Sequence, residues 1–250
     1  MLEILVGFFV AAGVGLTGVG AGSLLAPVLM LFFKIPPAEA VGTALAFSAV
    51  IKLTIAPVYI IRKQVDYPIL LRLCCGGVAG VLIGFYAMKS LDTKQHQGII
   101  FMAIGSLVAG MALYNLIRTL RRSAHHRAMQ DRSRFLPFIG FGIGTEIGFS
   151  SAGAGALGGV ALLNLTPLSP AQVVGTDVLF GLACSLVGGG FHLSAGHYQS
   201  GILVHLIAGG IAGALIGANL LAVLPSRPLR VALSAWLTCM GFQLCWQAFG

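Results

Sequence analysis

The sequence predicts an all-α polytopic membrane protein built from two homologous repeats, and three observations carry that prediction. Of 250 residues, 57% are hydrophobic and only 9% are charged, with a mean hydropathy of +0.95; a soluble domain carries about 25% charged residues. Apolar stretches of roughly 20 residues, each long enough to cross about 30 Å of hydrocarbon, recur at 38–61, 67–89, 96–117, 171–194, 200–223 and 229–249. Thirdly, the chain repeats itself at an offset of 133 residues: Val41-Gly42-Thr43 falls on Val174-Gly175-Thr176, Gly20-Ala21-Gly22 on Gly153-Ala154-Gly155, Phe47 on Phe180, and the run GGVAGVLIG at Gly76–Gly84 on GGIAGALIG at Gly209–Gly217. Between residues 7 and 84 about a third of positions are identical without a gap, against about a tenth expected by chance in such a composition.

Taken in order, the chain opens with a glycine-interrupted apolar stretch, 2–33, too long and too poor in basic residues at its start for a cleaved signal peptide. Three uninterrupted segments follow. The first transmembrane repeat is then 1–117, the polar stretch RTLRRSAHHRAMQDRSR at 118–134 is a basic connecting loop, and 135–250 is the second repeat, opened by a second glycine-broken stretch at 135–163. If each broken stretch is re-entrant, three full crossings remain per repeat and the copies are inverted. That arrangement places Arg62, Lys63, the joint (Arg118, Arg121, Arg122, Arg127, Arg132, Arg134), Arg227 and Arg230 together on the cytoplasmic side, leaving only Lys34, Lys89 and Lys94 outside. Four full crossings would strand Arg227 and Arg230 outside, so the positive-inside rule favours inversion.

The opening stretch also contains G-x-G-x-x-G at Gly13, Gly15 and Gly18, with Glu39 about 20 residues on. A dinucleotide-binding loop belongs to a soluble βαβ unit, with a strand before it and a helix after it, and this apolar membrane context offers no such unit. Inverted repeats with broken helices are instead the architecture of many secondary transporters. Unpaired N–H groups at a helix start carry partial positive charge and suit an anion, so Gly20, Ala21, Gly22 and Ser23 in one copy, and Gly153, Ala154 and Gly155 in the other, are expected to cradle one. The later glycine runs decorate helices without breaking them and are expected to serve close packing.

The stretch GVGAGSLLAPVLMLFFKIPPAEAVGTALA at 18–46, its degenerate copy at 152–179 and the GGVAGVLIG run resemble the sulfite exporter TauE/SafE family, also called the 4-toluene sulfonate uptake permeases. The resemblance spans essentially the whole chain. It implies a multi-pass protein of a bacterial inner membrane that moves a small sulfur-containing anion: sulfite, thiosulfate or an organosulfonate. The family often has three consecutive glycines and G-T-S. This chain has Gly20-Ala21-Gly22, Gly-Thr-Ala at 42–44 and Gly-Thr-Asp at 175–177, and the substituted positions are where specificity would differ.

Charge within hydrocarbon is costly and usually functional. Lys52 lies near the middle of the 38–61 segment, and its counterpart is Ser185, so the shared scaffold does not require the charge. It is expected to neutralise the substrate anion or to pair with Asp177 or Glu146, with snorkelling to an interface as the competing account. Glu146 and Asp177 are candidates to carry a coupling proton, although a carboxylate near a helix start is also favoured by the dipole. Thr43 and Thr176, one turn into equivalent helices, offer hydroxyls to an oxyanion or back-bond to their own helices.

The five cysteines and six histidines show no metal or redox spacing, and neither metal nor cofactor is expected. A net charge of +8 sits largely in the joint, where anionic lipid explains it better than nucleic acid. Oligomeric state is left open between monomer and homodimer. The sequence thus predicts a secondary transporter of small sulfur-containing anions working by alternating access, and no enzyme. The alternatives are a carrier of another small anion or organic acid, a sensing module, or an intramembrane serine hydrolase using Ser150 or Ser151 with His192 or His205; for the last, no G-x-S-x-G elbow is present.

Overall fold

The computed structural model describes residues 1–17, 20–91, 97–120, 132–151, 157–220 and 226–247. Among these residues lie ten α-helices and no strand: α1 (Leu2–Thr17), α2 (Ala21–Phe32), α3 (Pro37–Ile61), α4 (Tyr67–Leu91), α5 (Gln97–Leu120), α6 (Leu136–Ser150), α7 (Leu157–Leu165), α8 (Pro170–Ser194), α9 (Ser200–Leu220) and α10 (Ser226–Gln247). Four stretches are long and apolar enough to cross a membrane: Pro37–Ile61, Tyr67–Leu91, Ala171–Ser194 and Ser200–Gly217. Both glycine-rich stretches are indeed broken, into α1 and α2 and into α6 and α7. With 16 residues in α1 and 15 in α6, neither first piece alone reaches across about 30 Å of hydrocarbon.

Local chemistry sets the ends of the long helices. Pro37 and Pro170 open α3 and α8, where the missing N–H would have no intrahelical partner anyway. Ser169 and Gln172 add a reciprocal capping box to α8. α3 and α8 also end alike. Lys63 and Gly196, equivalent under the 133-residue offset, are left-handed at φ 53° and 77°. Beyond them the Gln64 N–H returns to the Tyr59 carbonyl at 3.0 Å, and the His197 N–H to the His192 carbonyl at 2.9 Å. These are the six-to-one bonds of Schellman turns.

Packing exchanges partners between the two halves of the chain. α1 lies along α9, and α6 lies along α4; α3 crosses α8, α5 pairs with α10, and α4 and α3 also touch α8 and α9 respectively. Each of these pairings maps onto itself or onto another when shifted by 133 residues. The glycine runs make the close ones. A Cβ at Gly76, Gly80 or Gly84 of α4 would collide with the carbonyls of Pro137, Phe141 or Thr145 of α6. At Gly209, Gly213 or Gly217 of α9 it would strike those of Ile4, Phe8 or Ala12 of α1. Buried Phe47 and Phe180 sit over Gly210 and Gly77. Small residues let backbones approach where no water drives helices together.

The connecting stretch differs in extent from the expected 118–134. α5 runs on through Leu120, since nothing in Arg118-Thr119-Leu120 stops a helix. Residues 121–131 lie outside the described residues. At the far end Arg132 and Arg134 are exposed, while Ser133 accepts a hydrogen bond from the Arg72 guanidinium at 2.5 Å and the Arg132 N–H reaches the Leu165 carbonyl at 3.0 Å.

Candidate functional site

The crossing of α3 and α8 brings two charges into the protein interior. Lys52, in the second half of α3, is 3% exposed, and Asp177 of α8 is 4% exposed. The two lie within electrostatic reach of one another. Neither is satisfied: among the described residues the Lys52 ammonium and Asp177 Oδ1 have no hydrogen-bond partner. The same crossing is fastened by a hydrogen bond of 3.2 Å from the Ser185 hydroxyl to the Ser48 hydroxyl. A full positive charge buried in this way is expensive unless an anion accompanies it.

Lys52 is therefore not a snorkelling lysine, since its ammonium ends inside the fold. Asp177 also departs from the expected helix-start carboxylate. It is the eighth residue of α8, beyond the first turn in which a helix's own dipole acts. Its side chain instead abuts the start of α7, where a Cβ on Gly158 would collide with Oδ1. The helix start it serves belongs to the second broken segment.

Thr43 and Thr176 are fully buried and hold the frame. The Thr43 hydroxyl oxygen accepts the Gln199 N–H at 3.0 Å, and Thr176 accepts the Asp66 N–H at 3.1 Å. One residue earlier, a Cβ on Gly42 would strike the His197 carbonyl and one on Gly175 the Gln64 carbonyl. Each V-G-T thus docks on the Schellman turn that ends the crossing helix of the other half: glycine admits the turn's carbonyl, and threonine takes an N–H two residues on. An accepted N–H leaves the hydroxyl hydrogen available to donate.

The two breaks also face one another. α6 ends on Ser151, left-handed at φ 62°, whose N–H returns to the Ile147 carbonyl at 2.9 Å. Ser151 is fully buried, its Oγ has no hydrogen-bond partner among the described residues, and that oxygen occupies the space a Cβ on Gly22 would need. Gly20, Ala21, Gly22 and Ser23, at the opening of α2, are all buried. No side chain caps this helix start, and the Ser23 hydroxyl is spent on the Gly20 carbonyl at 2.6 Å. Glu146, in the last turn of α6, accepts a hydrogen bond from Ser150. Gly153, Ala154 and Gly155 lie outside the described residues.

Sequence reasoning placed Lys52 with Asp177 among its alternatives and missed two features. Gly158 became visible as a neighbour of Asp177 only through the fold. Ser151 was marked only as a candidate nucleophile, whereas its contact with Gly22 arises from tertiary crossing. His192 is fully buried, with Nε2 at 3.2 Å from the Gly148 carbonyl and its ring edge-on to Phe85 at 4.9 Å, a structural setting for a core histidine. His205 lies on α9 with Nδ1 at 3.7 Å from Glu3. Among the described residues, no three of His, Cys, Asp or Glu group as metal ligands would.

Broken helices, buried glycine-lined starts and orphaned interior charges define a multi-pass membrane transporter. The chain belongs to the sulfite exporter TauE/SafE family, whose sequence profile matches residues 3–244. Among its relatives are three probable membrane transporter proteins of Bacillus subtilis (strain 168). YjnA is 28% identical over 249 residues, covering 96% of this chain and 98% of the relative. YdhB is 27% identical over 237 residues, covering 93% and 95%, and YunE is 27% identical over 262 residues, covering 95% and 94%. No solved structure matches the chain.

Proposed function

We propose that this protein is a secondary transporter of small sulfur-containing anions (sulfite, thiosulfate or an organosulfonate), not an enzyme, and that its two repeats are inverted and work by alternating access. The observation that carries the reading is the Lys52 ammonium, buried and without a hydrogen-bond partner among the described residues. A low-dielectric interior holds such a charge cheaply only beside an anion, and Asp177, whose Oδ1 accepts no hydrogen bond among the described residues, supplies one negative charge. A transported anion takes over that role when Asp177 carries a proton, with the α2 opening at Gly20–Ser23, Thr43, Thr176 and the second cradle at 153–155 as further binding groups. An inverted arrangement also gathers most of the arginine and lysine in the cytoplasm.

Coupling follows from charge balance. Lys52 and Asp177 together are neutral, so an arriving monoanion leaves the pair one negative charge in excess, and a proton on Asp177 restores neutrality. Glu146 is the second proton candidate, placed beside the break at the end of α6. In this reading one proton travels with each anionic charge at the Asp177 site.

The test is flux in proteoliposomes of sulfite, thiosulfate and a two-carbon sulfonate, each with and without an imposed pH gradient. One of the three is expected to move in the wild type and to fall by at least tenfold in Lys52→Ala, with the variant still folded. Unchanged flux in Lys52→Ala would remove the lysine from the substrate site. No flux of any of the three would overturn the substrate class.

A further inference from the structure

We infer that Ser151 is a substrate-binding residue that donates its hydroxyl hydrogen to an oxygen of the anion, and that the anion sits where the break of the second repeat meets the opening of α2. The inference rests on the transport reading above and assigns one composite site, asymmetric between the repeats, in place of two equivalent cradles.

Two independent observations converge there, and the backbone at Ser151 accompanies them. The opening of α2 is buried and uncapped, so the N–H groups of Ala21 and Gly22 have no intrahelical acceptor and none from a capping side chain. Ser151 Oγ, itself fully buried and without a hydrogen-bond partner among the described residues, is aimed at Gly22 so closely that only glycine fits opposite it. Finally, Ser151 is held left-handed at φ 62°, a conformation that glycine adopts freely and serine does not. The equivalent residue of the first repeat is Gly18. Lys63 ends α3 in the same conformation, so it is the unspent buried hydroxyl beside an uncapped helix start that a ligand explains.

The other helix start explains the asymmetry. At α7 the Asp177 carboxylate already lies against Gly158, so while it is ionised that opening holds the protein's own negative charge and disfavours a second. The counterpart of Asp177 in the first repeat is Ala44, which leaves the α2 opening free of internal negative charge. One hydroxyl and two backbone N–H groups are neutral donors and match the oxygens of a single sulfite, thiosulfate or sulfonate group.

The test uses the purified full-length protein and its Ser151→Ala and Ser151→Gly variants, with Lys52→Ala alongside. Binding of sulfite, thiosulfate and a two-carbon sulfonate is measured as thermal stabilisation, with chloride as control. Both Ser151 variants are expected to weaken the oxyanion that stabilises the wild type on the order of tenfold in Kd, with melting in chloride unchanged for alanine and unchanged or raised for glycine. Glycine suits the backbone at 151, so that variant reports even if alanine fails to fold. Equal Kd in the wild type and the Ser151 variants, with binding lost in Lys52→Ala, would overturn the role of Ser151 and leave the transport reading standing. Failure of all three anions to stabilise the wild type would overturn both.

Discussion

Lys52 and Asp177 stand at the centre of the proposed chemistry because the fold buries both and, among the described residues, the Lys52 ammonium and Asp177 Oδ1 have no hydrogen-bond partner. Their roles separate experimentally. Asp177→Asn is expected to abolish the response of anion flux to a pH gradient while leaving anion exchange at equal pH within about threefold of the wild type; stimulation that survives in the variant would move the proton elsewhere, with Glu146→Gln the next candidate. Both residues stood out from the sequence, since an ionisable side chain inside an apolar segment has few bland explanations. Ser151 carried no such mark. Serine is unremarkable within glycine-rich sequence, and only its left-handed backbone and its contact with Gly22 from a distant segment give it meaning.

The paired helices α3 and α8 show why a short motif recurs in both halves. Gly42 and Gly175 admit a turn carbonyl, and Thr43 and Thr176 bind the N–H two residues on. Gly175→Ala is expected to lower stability by about 1–3 kcal/mol through overpacking against the Gln64 backbone. Thr176→Val strands the Asp66 N–H and is expected to cost about 1–3 kcal/mol. Both effects would be read as a lowered melting midpoint in detergent, and a midpoint equal to the wild type would dismiss the docking role. Helix positions were visible in the sequence because apolar runs bounded by Pro, Gly and charge leave little choice of start and stop. The interlock was not, because hydrogen bonds between residues 110 and 156 positions apart leave no local pattern; only the repetition of V-G-T hinted that something was shared.

Across the whole chain, the 133-residue repeat told which segments are equivalent and not which of them pack together. Glycine runs announced close packing, while the choice of α9 for α1 and of α6 for α4 came from matched surfaces that a one-dimensional pattern does not pair. The interior charges break the symmetry: Lys52 faces Ser185 across the offset, Asp177 faces Ala44 and Glu146 faces Gly13. Since each half seats its first helix on the other's third segment, residues 1–120 expressed alone are expected to yield no stable membrane protein, and co-expression with 132–250 to restore a complex that survives purification. Recovery of a monodisperse half on its own would refute the mutual dependence.

The seating of α1 on α9 has a cost paid during synthesis. Gly7 and the Leu206 backbone it presses against are about 200 residues apart, which a ribosome covers in about 10 to 40 s. For that interval α1 waits in the bilayer with its glycine face turned to lipid or to the insertion machinery, and the order of translation, more than the speed of helix formation, sets when the two helices can meet.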